Sequence, residues 1–339
     1  MKIKIFIDPF VNIYYSGFYI LGLYEKFGKK NVFFCSTPFE TLKSRGANFD
    51  FIIEKEGKQT KYTINTNDFF DIEKESYEWC DVYGNVNANF EKTPMEFHSK
   101  LVSLVPSFGI RLWNLEETIF YAGLNAFKAK GNTNLRKFFG KYKRQWLIRL
   151  PYSMYFPVYD LKQSNFYIFH LSTLWYNDEW NRNDEGVNKI RANFINACKS
   201  IDNVQFEGGL ATSDISKVNP YFIPLIFQGT ISIKEYIEKI KKSVLVFNTP
   251  AFWSCHGWKL GEYLALGKAI ISTPLSNDLP APLVHGENIH IVDNDIEEFK
   301  KAILLIASDK NYRRKLEKGA REYWEKYGTP IKSLELLGI

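Results

Sequence analysis

Val244–Val292 reads VLVFNTPAFWSCHGWKLGEYLALGKAIISTPLSNDLPAPLVHGENIHIV. It opens on an apolar run, continued from Ser243 to Phe247, short enough and β-branched enough for a buried strand. A loop follows, then a short helical stretch from Gly257 to Leu266 closed by Gly267. Ala269–Ser272 is a second buried run, and His290–Val292 a third. Strands separated by helices must pair in parallel, because a parallel crossover needs a long connection. The stretch therefore predicts an α/β domain.

The same alternation extends in both directions. Upstream, Phe166–Leu171 reads as a strand, Asn188–Lys199 as a helix, and Val204–Glu207 as a strand turned by Gly208 and Gly209. Ser232 and Glu235 are spaced as a capping box for a helix to Lys242. Downstream, Asn294 and Glu297 repeat that spacing, and a last helix spans about 312–327. At the N-terminus, Lys2–Asp8 alternates as a strand, 12–27 is helical up to Gly28, and Asn31–Cys35 is a strand. Thr37-Pro38-Phe39-Glu40 signals a further helix start. Between 46 and 120 the pattern is weaker, with short strands at Phe51–Ile53, Tyr62–Ile64 and Trp79–Tyr83. Pro151 and Pro157 punctuate the middle of the chain. The expectation is two Rossmann-like domains, 1–160 and 161–320, with a C-terminal helix and tail, 321–339, returning toward the first.

Composition narrows the class. The chain has 339 residues, 45% apolar and 24% charged, enough for two packed cores. No apolar run is long enough to cross a bilayer, and the first residues alternate instead of forming a signal peptide. Four cysteines, Cys35, Cys80, Cys198 and Cys255, form no C-x-x-C pair, which points to a reducing, cytoplasmic setting. The net charge of +6 is mild, so its distribution matters more than its total.

Open α/β sheets bind ligands beyond the carboxyl ends of their strands. The helix that begins at Gly257 would offer N–H groups and a positive dipole end to a phosphate. Lys259 adds a cation, and Glu262, one turn in, could accept two hydrogen bonds from a vicinal diol such as a ribose. That is the outline of a nucleoside diphosphate lying along the helix.

These residues carry a resemblance. Glu262-Tyr-Leu-Ala-Leu-Gly267-Lys-Ala-Ile-Ile-Ser, with Gly229-Thr230-Ile-Ser232 before it and Ser276-Asn-Asp-Leu-Pro280 and Gly286-Glu-Asn288 after it, resembles the donor-binding region of GT-B glycosyltransferases, especially the retaining family 4 group. The likeness covers about 165–328. It implies a GT-B fold, two Rossmann-like domains facing across a cleft, in which the N-terminal domain binds an acceptor and the C-terminal domain a nucleotide sugar. By resemblance Glu262 is the ribose ligand, Thr230 lies in the base-binding loop, and Ser172 and Thr173 sit near the phosphates. Arg191 and Lys259, with Lys189, are candidates for the cationic pair on the diphosphate. The family's other glutamate would fall at Ser254; Cys255 and His256 occupy that neighbourhood, leaving the donor sugar open. His256 and Asp8 are the catalytic candidates, Asp8 because it ends the first strand where acceptors approach. Gly17, Asp81, His98, Trp253 and Trp258 are weaker ones, the two tryptophans favouring packing. The retaining outcome is favoured over the inverting one. No cofactor and no metal is expected, since helix N–H groups and Lys or Arg can stabilise the departing diphosphate. A GT-B sugar-nucleotide epimerase and a non-catalytic saccharide- or nucleotide-binding scaffold are the alternatives.

One stretch falls outside that scheme. Lys128, Lys130, Arg136, Lys137, Lys141, Lys143, Arg144 and Arg149 are uninterrupted by any acid, and Leu135, Phe138, Phe139, Tyr142, Trp146, Leu147 and Leu150 fall at helical spacing. A basic amphipathic helix over 135–150 is expected to lie on a membrane surface, with Phe138, Phe139 and Trp146 at the acyl boundary. The membrane reading implies a cytoplasmic protein peripheral at the inner face of the plasma membrane, with a saccharide or lipid-linked saccharide acceptor in surface polysaccharide or glycan assembly; the alternatives are a helix whose apolar face packs on its own core beneath solvated charges, or a nucleic-acid patch. No nucleic-acid partner is expected.

Overall fold

The computed structural model describes residues 3–129, 134–158, 166–175 and 185–339. The expected boundary at 160/161, and Lys130, lie outside these residues. The chain forms two units. The first comprises Met1–Met154, Asn277–Ala281 and Glu325–Ile339, the second Tyr155–Ser276 and Pro282–Trp324.

In the first unit, Ile5 and Ile7 are fully buried on β1 (Ile3–Ile7), as their alternation requires. Helix α1 (Ile13–Phe27) follows and ends at Gly28, whose φ of 80° lets the chain turn out of the helix. β2 (Val32–Phe34) then pairs parallel to β1. The expected helix at Thr37 is a single 3₁₀ turn, Thr37–Phe39. Only Leu42 follows Phe39 at helical spacing, and Gly46 then adopts φ 80°. The chain instead enters a hairpin, β3 (Phe49–Lys55) and β4 (Lys58–Asn65). Glu56 and Gly57 turn it, with φ of 54° and 82°, the left-handed pair a tight hairpin needs.

Trp79 ends helix α2 (Lys74–Trp79) and does not begin a strand; β5 starts later (Val82–Asn85), and β6 (Leu101–Ser103) follows. The six strands run in the order β2-β1-β3-β4-β5-β6. β3 is antiparallel to both neighbours and the remaining pairs are parallel. Helices α3 (Leu115–Lys128) and α4 (Leu135–Ile148) complete the N-terminal part of this unit. α4 is the basic helix; Phe138 and Tyr142 face inward, so Phe138 is not at the boundary the sequence assigned it.

Asparagines close the carboxyl ends of this sheet. Asn85 Oδ1 accepts from Asn87 N (2.7 Å), and Asn87 Nδ2 donates to Asn67 O (2.8 Å). Asn277–Ala281 joins here: Asp278 N donates to Ala88 O (2.8 Å), and Ser103 Oγ donates to Asp278 O (2.8 Å).

The second unit pairs β7 (Tyr167–Thr173) with β8 (Gln205–Ala211) in parallel. α5 (Glu185–Lys199) lies between them in sequence. β8 does not turn at Gly208 but runs through it. A Cβ there would lie 1.9 Å from His170 O, and φ is 120°, so only glycine allows the strands this approach. α6 (Ile233–Lys242) starts at Ser232, whose side chain accepts from Glu235 N. β9 (Val246–Asn248), α7 (Trp258–Ala265), β10 (Ile270–Ser272) and β11 (His290–Ile291) then form a parallel ladder β11-β10-β9.

The two ladders abut at β7 and β9. Val244 N donates to Tyr167 O (2.8 Å), and the rings of His170 and Phe247 lie 5.5 Å apart. Both strands advance in the same direction, so the unit runs β8-β7-β9-β10-β11. That is the 2-1-3-4-5 order of a doubly wound fold, with its switch point between β7 and β9. α8 (Ile296–Ser308) is capped by Asp295, one residue past the expected Asn294, and α9 (Lys310–Tyr323) follows. The core joins Phe194 of α5, Val244, Leu245, Phe247, Ile271, Phe299 and Ile303 of α8, and Leu316 of α9. A wide turn, Trp324–Gly328, leads to α10 (Pro330–Leu336), which packs on α1 in the first unit.

Candidate functional site

The carboxyl ends of β7 and β9 bring several predicted residues together. Ser172 is buried near the end of β7, and its hydroxyl is hydrogen-bonded to His170 Nε2. Thr173, the last residue of the strand, is exposed, and its carbonyl accepts from Arg191 Nη1 at 2.5 Å. Arg191 projects from α5 and is buried. Lys259, in the first turn of α7, donates its ammonium to Leu171 O. Two cations thus converge on the end of one strand. Lys189 is exposed on α5.

Burial, then the neighbouring Arg191, hold the Lys259 ammonium down to about 7, with Glu262 opposing. Burial, then Lys259 and Arg191, push His170 well below the usual imidazole value, so it is neutral. Glu262 is buried on α7 close to Lys259 and to the buried Tyr236 and Tyr263. A buried carboxylate beside a cation is a placement that favours function or a structural pair over a solvated surface charge.

Gly257 is the N-cap of α7. Its φ of −73° is open to any residue, and a Cβ would only touch Ala251 at 3.6 Å. His256 is buried just before it. The loop leading there is strained: Trp253 and Ser254 take φ of 53° and 61°. Left-handed backbone costs non-glycine residues about 1–2 kcal/mol each. Trp253 packs 4.0 Å from Phe252, which stacks on Trp175 at 5.5 Å.

Thr230 is exposed in the loop before α6, next to Gly229 at φ 128°. Asp8 belongs to the first unit. It is buried, and both its oxygens accept from Arg45, at 2.6 and 2.8 Å. Gly17 is buried in α1, Asp81 accepts from Lys61 N (2.8 Å), and His98 Nε2 meets Thr93 O (2.8 Å).

Some site residues escaped the sequence reading. Asn248 donates to Ser272 Oγ (3.0 Å), and Thr249 meets Thr273 through their hydroxyls (2.9 Å), lining the ends of β9 and β10. The signal was present: a polar pair directly follows each buried run, Asn248-Thr249 and Ser272-Thr273. Asp293 and Asp295 have the D-x-D spacing of metal-dependent glycosyltransferases. Asp295, however, accepts from Glu297 N (2.9 Å) and Glu298 N (3.0 Å) as the cap of α8. Among the described residues no group of three His, Cys, Asp or Glu is placed to hold a metal.

Residues 224–323, from the approach to α6 through α9, match the model of the glycosyl transferases group 1 family. No curated protein matches the chain in sequence. Among solved structures, the C-terminal domain of a glycosyl transferase group 1 family protein from Francisella tularensis is similar at 15% identity, over 52% of this chain and 97% of that one, with a TM-score of 0.38. Sucrose-phosphate synthase from Thermosynechococcus elongatus is similar at 18% identity, over 56% and 51%, with a TM-score of 0.39. An Anabaena protein in complex with UDP-glucose is similar at 10% identity, over 82% and 70%, with a TM-score of 0.42. This chain therefore spans about half the length of the synthase. The match to the glycosyl transferases group 1 model thus falls, apart from Asn277–Ala281, within the second unit, from the approach to α6 through β9, α7, β10 and β11 to α9.

Proposed function

We propose that the chain is a glycosyltransferase that takes a sugar from a nucleoside diphosphate donor and passes it to a saccharide acceptor. The observation that carries this is the convergence of Arg191, Lys259 and buried Glu262 at the switch point, with Lys259 and Glu262 inside the matched segment. Arg191 and Lys259 supply positive charge where a leaving diphosphate gains negative charge, and fixed charge in a partly dry site stabilises it more than water would. Glu262 accepts the ribose hydroxyls, and Ser172 and Thr173 face the phosphates. The resemblance favours transfer with retention, with His256 near the donor sugar and Asp8 the acceptor-side candidate. Domains 1–160 and 161–320 then divide acceptor and donor binding, and charge supplied by the protein makes a metal unnecessary.

The test is calorimetry with a panel of nucleoside diphosphates, paired with hydrolysis of the corresponding sugar nucleotides. Slow release of free diphosphate, without an isomeric sugar nucleotide, is the expected result. Glu262→Gln should weaken binding of the preferred diphosphate by about 1–3 kcal/mol, the cost of removing a charged hydrogen-bond partner. Unchanged binding would remove Glu262 from the site. An isomerised donor would make the protein an epimerase, and no binding across the panel would leave a scaffold.

A further inference from the structure

Helices α3 and α4 bind each other through their inner faces. Asn125 Nδ2 donates to the Tyr142 hydroxyl (2.8 Å), and Trp113 stacks on Tyr121 and Tyr142 at 4.5 and 6.0 Å. Phe138 and Gln145 are buried with them. The outer faces are apolar where solubility alone would call for polar residues. On α3, Ile119, Phe120 and Phe127 are 65%, 62% and 83% exposed. They flank Gly123, beyond which a Cβ would meet nothing within 4 Å. On α4, Leu135, Phe139, Lys143 and Leu147 repeat every four residues and are all exposed. The periodicity of α4 was visible in the sequence; the stripe on α3 was not.

Beyond the first turn of α3 the charge along these helices has one sign. No acidic residue occurs between Glu117 and Asp160. The nearest acids, Glu116 and Glu117, lie in the first turn of α3, and Glu117 is paired with Lys29. Some of the cations are already engaged: Lys128 donates to Phe34 O (2.9 Å), and Arg144 and Arg149 lie over the Tyr14 ring at 4.9 and 3.9 Å. Arg136, Lys137 and Lys143 are exposed beside the apolar stripe.

We infer that the outer face of α3 and α4 docks on an anionic lipid surface, with Ile119, Phe120, Phe127 and Phe139 entering the acyl boundary and Arg136, Lys137 and Lys143 meeting the headgroups. A nucleic acid or an acidic protein would match the cations but leave the protruding phenylalanines in water. A second copy of the chain would set like charges against each other. An anionic bilayer satisfies both features. Among the described residues no helix is long and apolar enough to cross a membrane, so the contact is a surface one. The inference stands independently of the donor site.

Flotation of the full chain with vesicles of phosphatidylcholine, with and without phosphatidylglycerol, tests it. Binding should require phosphatidylglycerol and weaken as salt rises. Phe120→Glu with Phe127→Glu should lower the partition coefficient about tenfold or more. Arg136→Gln, Lys137→Gln and Lys143→Gln together should abolish the preference for the anionic lipid. All these side chains are exposed, and thermal melting checks the fold; Phe127→Gln alone serves if the double variant unfolds. Absence of binding to either vesicle, equal binding to both, or flotation untouched by the Phe substitutions overturns the inference. So does a dimer in sedimentation that the same substitutions dissociate, since a second copy would then cover the face. Nucleoside diphosphate binding by these variants, measured without vesicles, should match the parent, which separates this result from the donor-site test.

Discussion

Lys259 sits where its charge is disfavoured. Burial, with Arg191 adding to it and Glu262 opposing, brings its ammonium to about 7. A bound diphosphate would raise that value, so binding above pH 7 must take up a proton. Affinity should be full below about pH 7 and fall by up to tenfold per unit above it, until the pKa of the bound state is reached. Calorimetry across that range, in buffers of differing ionisation heat, reads both the affinity and the proton uptake, and Lys259→Met should flatten the profile. Without ligand the same shift acts on stability. The unfolded lysine keeps its proton up to about 10.5, so Lys259 costs stability below pH 7, and that cost fades as the pH rises toward 10.5. At this scale the sequence was partly legible. Glu262 and Lys259 stood out because helix position and side-chain type coincided. The pairing of Asp8 with Arg45 was hidden, because 37 residues separate them.

Among the elements, α1 shows how a helix glycine can be demanded by its neighbour. A Cβ on Gly22 would lie 2.5 Å from Pro330 O, the backbone of α10. Gly22→Ala should therefore destabilise the protein by about 1–3 kcal/mol despite its better helix propensity, because the packed backbone cannot yield cheaply. Gly140, on α4, has nothing within 4 Å of its would-be Cβ. There Gly140→Ala should stabilise by about 0.5–1 kcal/mol. Urea denaturation of the two variants against the parent measures the opposite signs. The elements with long apolar periods were readable in the sequence, as α1 and α4 were. The hairpin of β3 and β4 was read only as fragments, although Glu56-Gly57 marks its turn. Trp79 looked like the start of a strand because an aromatic suits either state, and the cap that Glu73 provides through Ser76 N (2.7 Å) decided for the helix.

For the whole molecule, the last residues belong with the first. Leu334 is fully buried, and Leu337 lies near Gly84 of β5. Lys26 of α1 pairs with Glu335 at 3.5 Å. Ending the chain at Gly328 should cost the first unit about 2–5 kcal/mol, the range for emptying a buried leucine site. Hydrogen exchange would show lost protection in α1 and β5 and intact protection in α5 and α8; uniform loss would contradict that division. The sequence by itself determined the α/β alternation and the placing of Lys259 and Glu262 on one short helix, since periodicity, capping and side-chain type are local. Only the tertiary structure decided that β3 runs antiparallel, that Asn277–Ala281 and α10 join the first unit, that Arg191 meets Lys259, and that Ile119, Phe120 and Phe127 face outward. Each of those depends on contacts between residues far apart in the chain, which no local pattern encodes.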